Sequence, residues 1–264
     1  MVLRLDNSAA QVLVDAGSGG RVASLVVHGT ELIVGPAGDD GVPRSGLDWG
    51  LYPMVPFAGR VRNATFGFDG AVHRLPPRAA PHAIHGTVDD AEWDVHGHSA
   101  STVTLGCAPD PRWPFAGRVT HTISLLPDRL RMELSVHAHE RMPVQVGWHP
   151  WFARPASVVT RFTQWLPRDA DGMPGPPTTE GLPGPGEPVD DCFVAPTGPV
   201  LVEVAGVRLS LTSDCSHWVV YDGAAHGVCV EPQSGPPNEI ASAPRVVGPG
   251  QVLGRWFEIA WEQD

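Results

Sequence analysis

The sequence lacks three features that would have indicated other classes of protein. None of its apolar runs approaches the roughly 20 residues that a membrane-spanning helix needs. The N-terminus has no basic segment followed by an apolar core, so a secretion signal is not expected. The four cysteines are widely spaced and form no CxxC pair, which argues against zinc ribbons and dithiol redox motifs. These absences predict a soluble, cytoplasmic protein with reduced thiols.

Positive charge is also scarce. Lys and Arg together number 18 against 29 Asp and Glu, which gives a formal net charge of -11. A surface of this sign repels nucleic acid and anionic membranes, so neither is expected as a partner. The sequence does not indicate an oligomeric state.

No window of the chain shows an uninterrupted helical period. The 30 Gly and 28 Pro are spread along the chain, and Val-rich segments alternate with turn residues. This pattern predicts an all-β sandwich or barrel, and an all-β chain of 264 residues often forms one domain, so residues 1–264 are predicted to be a single domain. The Pro- and Gly-rich region 167–189 lies between predicted strands, and we interpret it as a long excursion from that domain.

Three local predictions concern residues 52–70. Residues 52–57 contain two prolines and are predicted to be an extended loop, not a central strand. An extended segment 59–63 would place Arg60 and Arg62 on one face. The Asp69-Gly70 pair predicts a hairpin.

Two titratable residues have unusual surroundings. Glu231 follows the apolar run Gly227–Val230 and precedes Pro232, so its side chain is expected to be fixed at the end of a buried strand. His149 lies among Trp148, Pro150 and Trp151, a stiff and partly dry setting of the kind that carbohydrate sites use.

Three chemistries compete for these and other polar residues. A metal site could use the pairs His96/His98 and His137/His139, whose spacing puts two imidazoles on one strand face. A glycosidase could use the carboxylates of Glu231 and Asp190. Acid–base chemistry on a sugar could use Glu231 as base and His149 as acid.

Five blocks of sequence, in order along the chain, resemble the motifs of aldose 1-epimerases (mutarotases). The blocks are Arg60-Val61-Arg62-Asn63 with Phe66-x-Phe68-Asp69-Gly70, then Pro81–Gly86, His149-Pro150-Trp151-Phe152, Asp190-Asp191-Cys192-Phe193 and Cys229-Val230-Glu231-Pro232-Gln233. Each block alone has low specificity, whereas the ordered set is specific.

The resemblance implies a mostly antiparallel, galactose-mutarotase-like β-sandwich with a cleft across one sheet. It implies that Glu231 is the base and His149 the acid of ring opening, and that Arg60, His85 and Asp190 bind the substrate. It implies no cofactor and no metal, and a small-molecule aldose or aldose phosphate as the partner.

Departures from the family pattern bear on the substrate. Gly59 stands in place of asparagine, Thr87 in place of glycine and Trp151 in place of tyrosine, which brings the chain closer to a broader branch that includes hexose-6-phosphate epimerases. Arg62 is the candidate for a phosphate contact. A hexose-6-phosphate 1-epimerase and a non-catalytic sugar-binding protein of the same fold remain as alternatives, and His82, Trp113, Asp191 and Gln233 are further site candidates.

Overall fold

The computed structural model describes residues 1–159, 161–184 and 189–262, and these are almost wholly strands and loops. The strands in chain order are β1 (Val2–Asp6), β2 (Ala10–Asp15), β3 (Arg21–Val27), β4 (Thr30–Glu31), β5 (Leu51–Met54), β6 (Arg60–Val61), β7 (Thr65–Phe68), β8 (Ala71–Arg74), β9 (Ala83–Ile84), β10 (Asp94–His98), β11 (Thr102–Cys107), β12 (Gly117–Leu125), β13 (Arg129–Ala138), β14 (Met142–Pro143), β15 (Gly147–Ala153), β16 (Ala156–Val159), β17 (Trp165–Leu166), β18 (Asp190–Val194), β19 (Val200–Val204), β20 (Val207–Ser213), β21 (His217–Tyr221), β22 (Gly227–Gln233), β23 (Val246–Val247) and β24 (Val252–Trp261). A 3-10 turn spans Arg62–Ala64, and the helix α1 spans Glu239–Ser242. Nothing helical in the described ranges is long and apolar enough to cross a bilayer.

Two large antiparallel sheets dominate the architecture. One sheet has ten strands in the order β1-β2-β3-β5-β15-β22-β21-β18-β17, with β4 paired to β3. The other has eight strands in the order β10-β11-β12-β13-β24-β20-β19-β16. Their inner faces share one apolar core, which confirms the predicted β-sandwich.

Alternation of apolar and polar residues explains how the strands face this core. In β12, Val119, Ile123 and Leu125 are buried, and they lie opposite the buried Val136, Met132 and Leu130 of β13. Side chains two residues apart lie on one face of a strand, so each apolar row points to the other sheet. Burial of each such side chain contributes about 1.5–3 kcal/mol.

One buried histidine connects the two sheets by hydrogen bonds. His121 of β12 lies 3.2 Å from Trp148 Nε1 and, through Nδ1, 3.2 Å from the Gly20 carbonyl. Because the indole can only donate and the carbonyl can only accept, the geometry requires neutral His121 with its proton on Nδ1. Burial acts in the same direction and lowers the pKa of His121 to about 4.

The prediction of a loop at residues 52–57 is wrong for its first part, because β5 lies inside the ten-stranded sheet. Its residue Pro53 pairs with Trp148 of β15. The Trp151 N–H donates to the Gly50 carbonyl, so by alternation along the ladder the backbone of Pro53 faces away from β15. On that side β3 pairs with β5 only at Leu51, and no ladder hydrogen bond from residue 53 is needed.

Two turns are set by residues with positive φ. The Asp69-Gly70 turn joins β7 to β8, as predicted. At Gly86 (φ 81°) the chain passes so close to Val55 that an added Cβ would lie 2.0 Å from the Val55 carbonyl oxygen. The same close approach lets the Thr87 N–H donate to that oxygen at 2.8 Å, and it fixes His85, the preceding residue.

We expect Gly86→Ala to destabilise the fold by about 3 kcal/mol or more, because it combines a left-handed backbone with overlap against a fixed backbone oxygen. Gly70→Ala is the matched control: φ is 78° there, but no atom lies within 4 Å of the added Cβ. That variant should lose only about 1–2 kcal/mol. Urea unfolding measures both losses, and equal losses would show that the contact with Val55 carries no cost.

Candidate active site

A pocket of about 300 Å³ lies on the outer face of the ten-stranded sheet, and we call it the central pocket. It is lined by side chains from β5, β15, β18, β21 and β22, among them Tyr52, His149, Asp190, Tyr221 and Glu231. Alternation along each strand produces this arrangement. In β15, Trp148 points into the core between the sheets, whereas His149 and Trp151 point into the pocket.

Glu231 and His149 are in direct contact at the floor of the pocket. The antiparallel register pairs Gly147 with Gln233 and Trp151 with Cys229, and this places His149 opposite Glu231 on the neighbouring strand. His149 Nε2 lies 3.2 Å from Glu231 Oε1, and the two residues are only 5% and 2% exposed. The other carboxyl oxygen, Oε2, accepts a hydrogen bond from Gln233 Nε2 at 3.1 Å.

Burial shifts both groups of this pair toward their neutral forms. It raises the pKa of Glu231 well above its usual value, and the nearby charge of Asp190 adds to the rise. It lowers the pKa of His149 to about 3. A carboxyl and an imidazole that are both driven toward neutrality can exchange one proton across their contact without changing the charge of the pair.

Besides its contact with Glu231, the His149 ring is held by neighbouring aromatic rings. Tyr52 stacks on it with a centroid distance of 4.8 Å and an interplanar angle of 12°, and His85 meets it edge-on at 4.7 Å. Within the described residues, the buried Nδ1 atoms of His149 and His85 have no hydrogen-bond partner. Burial is also the main reason that the pKa of His85 is well below its usual value.

A buried arginine organises the wall behind these rings. Arg21 is 1% exposed and donates to four carbonyl groups, those of Ser18, Gly46, Trp49 and Asp89. It thereby fixes the loop that contains Leu47.

The Leu47 carbonyl completes this wall. It accepts hydrogen bonds from Tyr52 Oη at 3.2 Å and from Trp151 Nε1 at 2.7 Å. The two aromatic side chains that contact His149 are therefore anchored to the same backbone oxygen.

Charged residues line the entrance side of the pocket. Arg168 binds Asp190 through Nη1 at 2.5 Å and Asp191 through Nε at 3.1 Å. Burial raises the pKa of Asp190, although the neighbouring Arg168 opposes the rise. Arg60 also lines the pocket, and among the described residues its guanidinium has no hydrogen-bond or ion-pair partner.

Comparison with known proteins shows to which family the chain belongs. The model of the aldose 1-epimerase family matches residues 1–260. The chain belongs to the aldose 1-epimerase family.

Individual relatives agree with this membership. An uncharacterised Escherichia coli K12 protein, YphB, is 32% identical over 131 residues, a match that spans 46% of this chain and 44% of the relative's length. Among solved structures, a candidate aldose 1-epimerase from Escherichia coli K12 is 21% identical with a TM-score of 0.84, over 100% of this chain and 99% of the other. A galactose 1-epimerase from Lactobacillus acidophilus NCFM is 17% identical with a TM-score of 0.79, over 98% and 93% of the two chains. At these identities the two structures show a shared fold.

All five residues predicted to form the site of this aldose 1-epimerase family member lie around the central pocket, namely Arg60, His85, His149, Asp190 and Glu231. Asp191 and Gln233 line it too. His82 lies in an adjoining groove, and Trp113 packs in a separate apolar cluster with Phe57 and Phe66. The roles of the residues in the pocket are taken up below as proposals.

The prediction that Arg60 and Arg62 share one face is wrong. The extended segment ends at Val61, and Asn63 and Ala64 then take left-handed φ angles of 52° and 51°. Arg62 turns away from the pocket and forms ion pairs with Asp169 and Asp171. These two carboxylates neutralise the charge of the Arg62 guanidinium, so this residue is not available for the predicted phosphate contact.

Among the residues that the structure describes, neither histidine pair of the metal alternative belongs to a group of three metal-ligating side chains. His96 is the extra residue at a bulge in β10, and its Nδ1 lies 2.9 Å from Arg118 Nη2. His98 contacts the Arg4 carbonyl at 3.0 Å. Within the described ranges, the side chains that are close enough to hold a metal ion are His85, His149 and Glu231, whose ligand atoms lie within 4.8 Å of one another.

Sequence reasoning missed several residues of the pocket, and three of them are polar or charged side chains near the proposed site. Tyr52 lies in the proline-rich stretch that was interpreted as a loop, and Asp48 and Arg168 belong to irregular segments without a motif. An aromatic residue before a proline could have drawn attention to Tyr52. Nothing in the local sequence distinguishes Arg168 from other surface arginines, because only the fold brings it to Asp190.

Glu231→Gln should make the protein relatively more stable as the pH rises. The folded-state pKa of Glu231 is raised, so its carboxyl favours the folded state at low pH and loses that contribution as the pH rises from about 4.3 toward the folded-state pKa. Glutamine does not titrate. The unfolding free energy of the variant relative to wild type should therefore increase with pH, by up to about 1.4 kcal/mol per pH unit.

Urea unfolding at several pH values between about 5 and 8 measures this difference. In this range a carboxyl group with the ordinary pKa of about 4.3 is ionised in the unfolded chain. Glu203→Gln, at an exposed position of β19, controls for the loss of one negative charge. A constant difference between Glu231→Gln and wild type across this range would contradict the prediction.

Proposed function

We propose that the protein is an aldose 1-epimerase that interconverts the α and β anomers of an unphosphorylated aldose by opening and closing the sugar ring. The observation that carries the proposal is the 3.2 Å contact between Glu231 and His149 in the central pocket. The hydroxyl oxygen that loses a proton, O1, and the ring oxygen that gains one, O5, are bonded to the same carbon. A base for O1 and an acid for O5 must therefore lie side by side, as these two residues do.

The proton balance of the reaction matches the pair. On opening, the Glu231 carboxylate takes the proton of the O1 hydroxyl, the C1–O1 bond becomes a carbonyl, and the C1–O5 bond breaks. His149, as imidazolium, gives its Nε2 proton to O5. After rotation about the C1–C2 bond, O5 attacks the other face of C1 and returns its proton to His149, while Glu231 protonates O1. The pair begins and ends in the same state.

The pKa shifts of Glu231 and His149 favour the protonation state that the pair has in the ring-opened half of this cycle. A neutral glutamic acid beside a neutral imidazole is the state of the pair while the sugar is open, and burial favours that state. The ionic state needed for opening differs from it by one proton transferred across a single contact. Neither state requires a proton from bulk water, so the site can operate while closed around the sugar.

Three further residues are proposed to bind the substrate. The guanidinium of Arg60, which has no partner in the described part of the chain, offers donors to sugar hydroxyls, and Asp190 has a carboxylate oxygen that Arg168 does not engage. His85 lies edge-on to His149 on the same side of the pocket, where its ring can contact the sugar next to the reacting carbon. The scheme requires no cofactor and no metal.

The charge of the pocket favours a neutral sugar over a sugar phosphate. Of the described residues, four with carboxyl side chains line it, Asp48, Asp190, Asp191 and Glu231, against two arginines. Arg168 is already bound by two of these carboxylates. A phosphate group would meet net negative charge at short range, with only Arg60 left to bind it.

Glu231→Gln and His149→Asn should each slow anomer exchange by at least about 100-fold, because each removes one member of an acid–base pair. The measurement is NMR exchange or polarimetry with D-glucose, D-galactose and other aldoses, alongside glucose 6-phosphate. Glu203→Gln and His137→Asn make the same chemical changes at exposed positions outside the pocket, and they should leave the rate unchanged.

Wild-type rates in both pocket variants would refute the mechanism. A wild-type protein that changes its tryptophan fluorescence on binding sugar, but exchanges no anomer faster than the buffer does, would be a sugar-binding protein of this fold. Faster exchange of glucose 6-phosphate than of glucose would identify the hexose-6-phosphate 1-epimerase alternative.

A further inference from the structure

His85, His149 and Glu231 form a cluster of metal-ligating side chains at the floor of the central pocket. One ligand atom of each residue lies within 4.8 Å of those of the other two. All three residues are at least nine-tenths buried, so they differ from the solvated histidines and carboxylates of the protein surface. Two imidazoles and one carboxylate are a ligand set that binds Zn²⁺ with its fourth position open.

The contact between His149 and Glu231 already has the separation of two ligands on one ion. Zinc bonds of about 2.0–2.2 Å in tetrahedral geometry place neighbouring ligand atoms about 3.3–3.5 Å apart. The distance from His149 Nε2 to Glu231 Oε1 is 3.2 Å. Gln233 donates to the other carboxyl oxygen, Oε2, and so directs Oε1 toward the imidazole. Outer partners of this kind orient the ligands of metal sites.

His85 supplies the third ligand after a small movement of its ring. The ring meets that of His149 edge-on, with a centroid distance of 4.7 Å. Within the described residues its buried Nδ1 has no hydrogen-bond partner, so rotation of the ring loses no such bond there. A shift of at most about 1.5 Å brings its ligand atom to the separation that zinc requires. The pocket of about 300 Å³ in front of the ring leaves space for this shift and for a water molecule as fourth ligand.

The chemistry of the ligands selects the kind of cation. Imidazole nitrogen suits Zn²⁺, Co²⁺ and Ni²⁺, and two of the three ligands here are imidazoles. Mg²⁺ and Ca²⁺ prefer a shell of oxygen ligands, which a site with one carboxylate does not provide. A zinc-like ion is therefore favoured over the hard cations.

Two features of the surroundings limit how tightly an ion is held. Arg21 and Arg60 carry positive charge near His149 and His85 respectively, and they oppose the addition of a cation. His149 Nδ1 has no partner in the described part of the chain, whereas ligating histidines in permanent metal sites usually donate their other N–H to an acceptor. Both features favour reversible binding over a permanently bound metal.

We propose that His85, His149 and Glu231 form a reversible inhibitory site for a zinc-like divalent cation. The ion would occupy His149 Nε2 and Glu231 Oε1, the two atoms that carry protons in the proposed reaction, so the zinc-bound protein could not open a sugar ring. The ion is not a cofactor, because the proposed reaction does not use it. Binding at this site is independent of the proposed function, and only the inhibition rests on it.

Titration calorimetry tests the site directly. Protein treated with a chelator and then dialysed free of it is titrated with ZnCl₂ and, separately, with MgCl₂. Zinc should bind at one site per chain and magnesium should not bind. CoCl₂ should produce the strong visible absorption of four-coordinate cobalt. His85→Asn, His149→Asn and Glu231→Gln should each weaken zinc binding by at least the roughly 10–100-fold that loss of an outer partner costs.

His137→Asn and Glu203→Gln are the matched controls, because they make the same chemical changes at exposed positions. Both should retain the wild-type zinc affinity. Circular dichroism shows which ligand variants fold, and any one of the three that folds decides the comparison. Wild-type affinity in a folded ligand variant, or loss of binding in a control, would place the zinc elsewhere and overturn the proposal.

Competition with sugar tests the site on the wild-type protein alone. Zinc and an aldose that binds the pocket should lower the affinity of one another by the same factor, because both occupy its floor. Zinc should also inhibit anomer exchange with an inhibition constant equal to its dissociation constant, and EDTA should restore the wild-type rate. Equal zinc affinity with and without saturating sugar would contradict the proposal.

The two proposals fail separately. If zinc-free protein exchanges anomers and saturating zinc leaves the rate unchanged, the enzyme proposal stands and the inhibitory site is refuted. If zinc-free protein exchanges no aldose, the proposed function fails. The calorimetric comparison of His85→Asn with His137→Asn still decides whether the cluster binds zinc.

Discussion

The contact between Glu231 and His149 is the interaction on which the rest of the structure depends. A carboxyl group and an imidazole are placed side by side on two adjacent central strands, nearly out of reach of water. Burial of either group alone would be unfavourable, and in contact each provides a polar partner for the other. The register of β15 and β22 decides the contact, because a slip of one strand by one residue would place the two side chains on opposite faces of the sheet.

The surrounding structure fixes the positions of these two groups. Arg21 secures a loop through four carbonyl groups, the Leu47 carbonyl on that loop anchors Tyr52 and Trp151, and these rings contact His149. On the other side, Gly86 lets the chain approach Val55 closely enough to fix His85. Rigid support of this kind keeps the carboxyl group and the imidazole in a fixed geometry.

The charge of the pocket walls bears on whether a ligand with a phosphate group can bind. The chain is acidic overall, and the walls of the central pocket follow this trend. Several arginines that could have bound a phosphate are instead bound to aspartates, Arg62 and Arg168 among them. Arg60 is the exception: among the described residues its guanidinium has no ion-pair partner, and it lines the central pocket.

The sequence alone determined the all-β class, since alternation, glycine and proline content and turn residues are local properties. It also indicated the family, and with it Arg60, His85, His149, Asp190 and Glu231, because the ordered motifs lie in the linear chain. It failed where the outcome depends on partners distant in sequence. Pro53 is tolerated in a central strand because the neighbouring strand stops short of it, and Arg62 leaves the pocket because Asp169 and Asp171 bind it.

Only the tertiary structure decided that Glu231 and His149 touch, and that Tyr52, Asp48 and Arg168 belong to the pocket. It alone brought His85 to the same pair. The physical reason is the same in each case. A motif records which side chains are present, whereas strand register and loop packing decide which of them come within hydrogen-bonding distance.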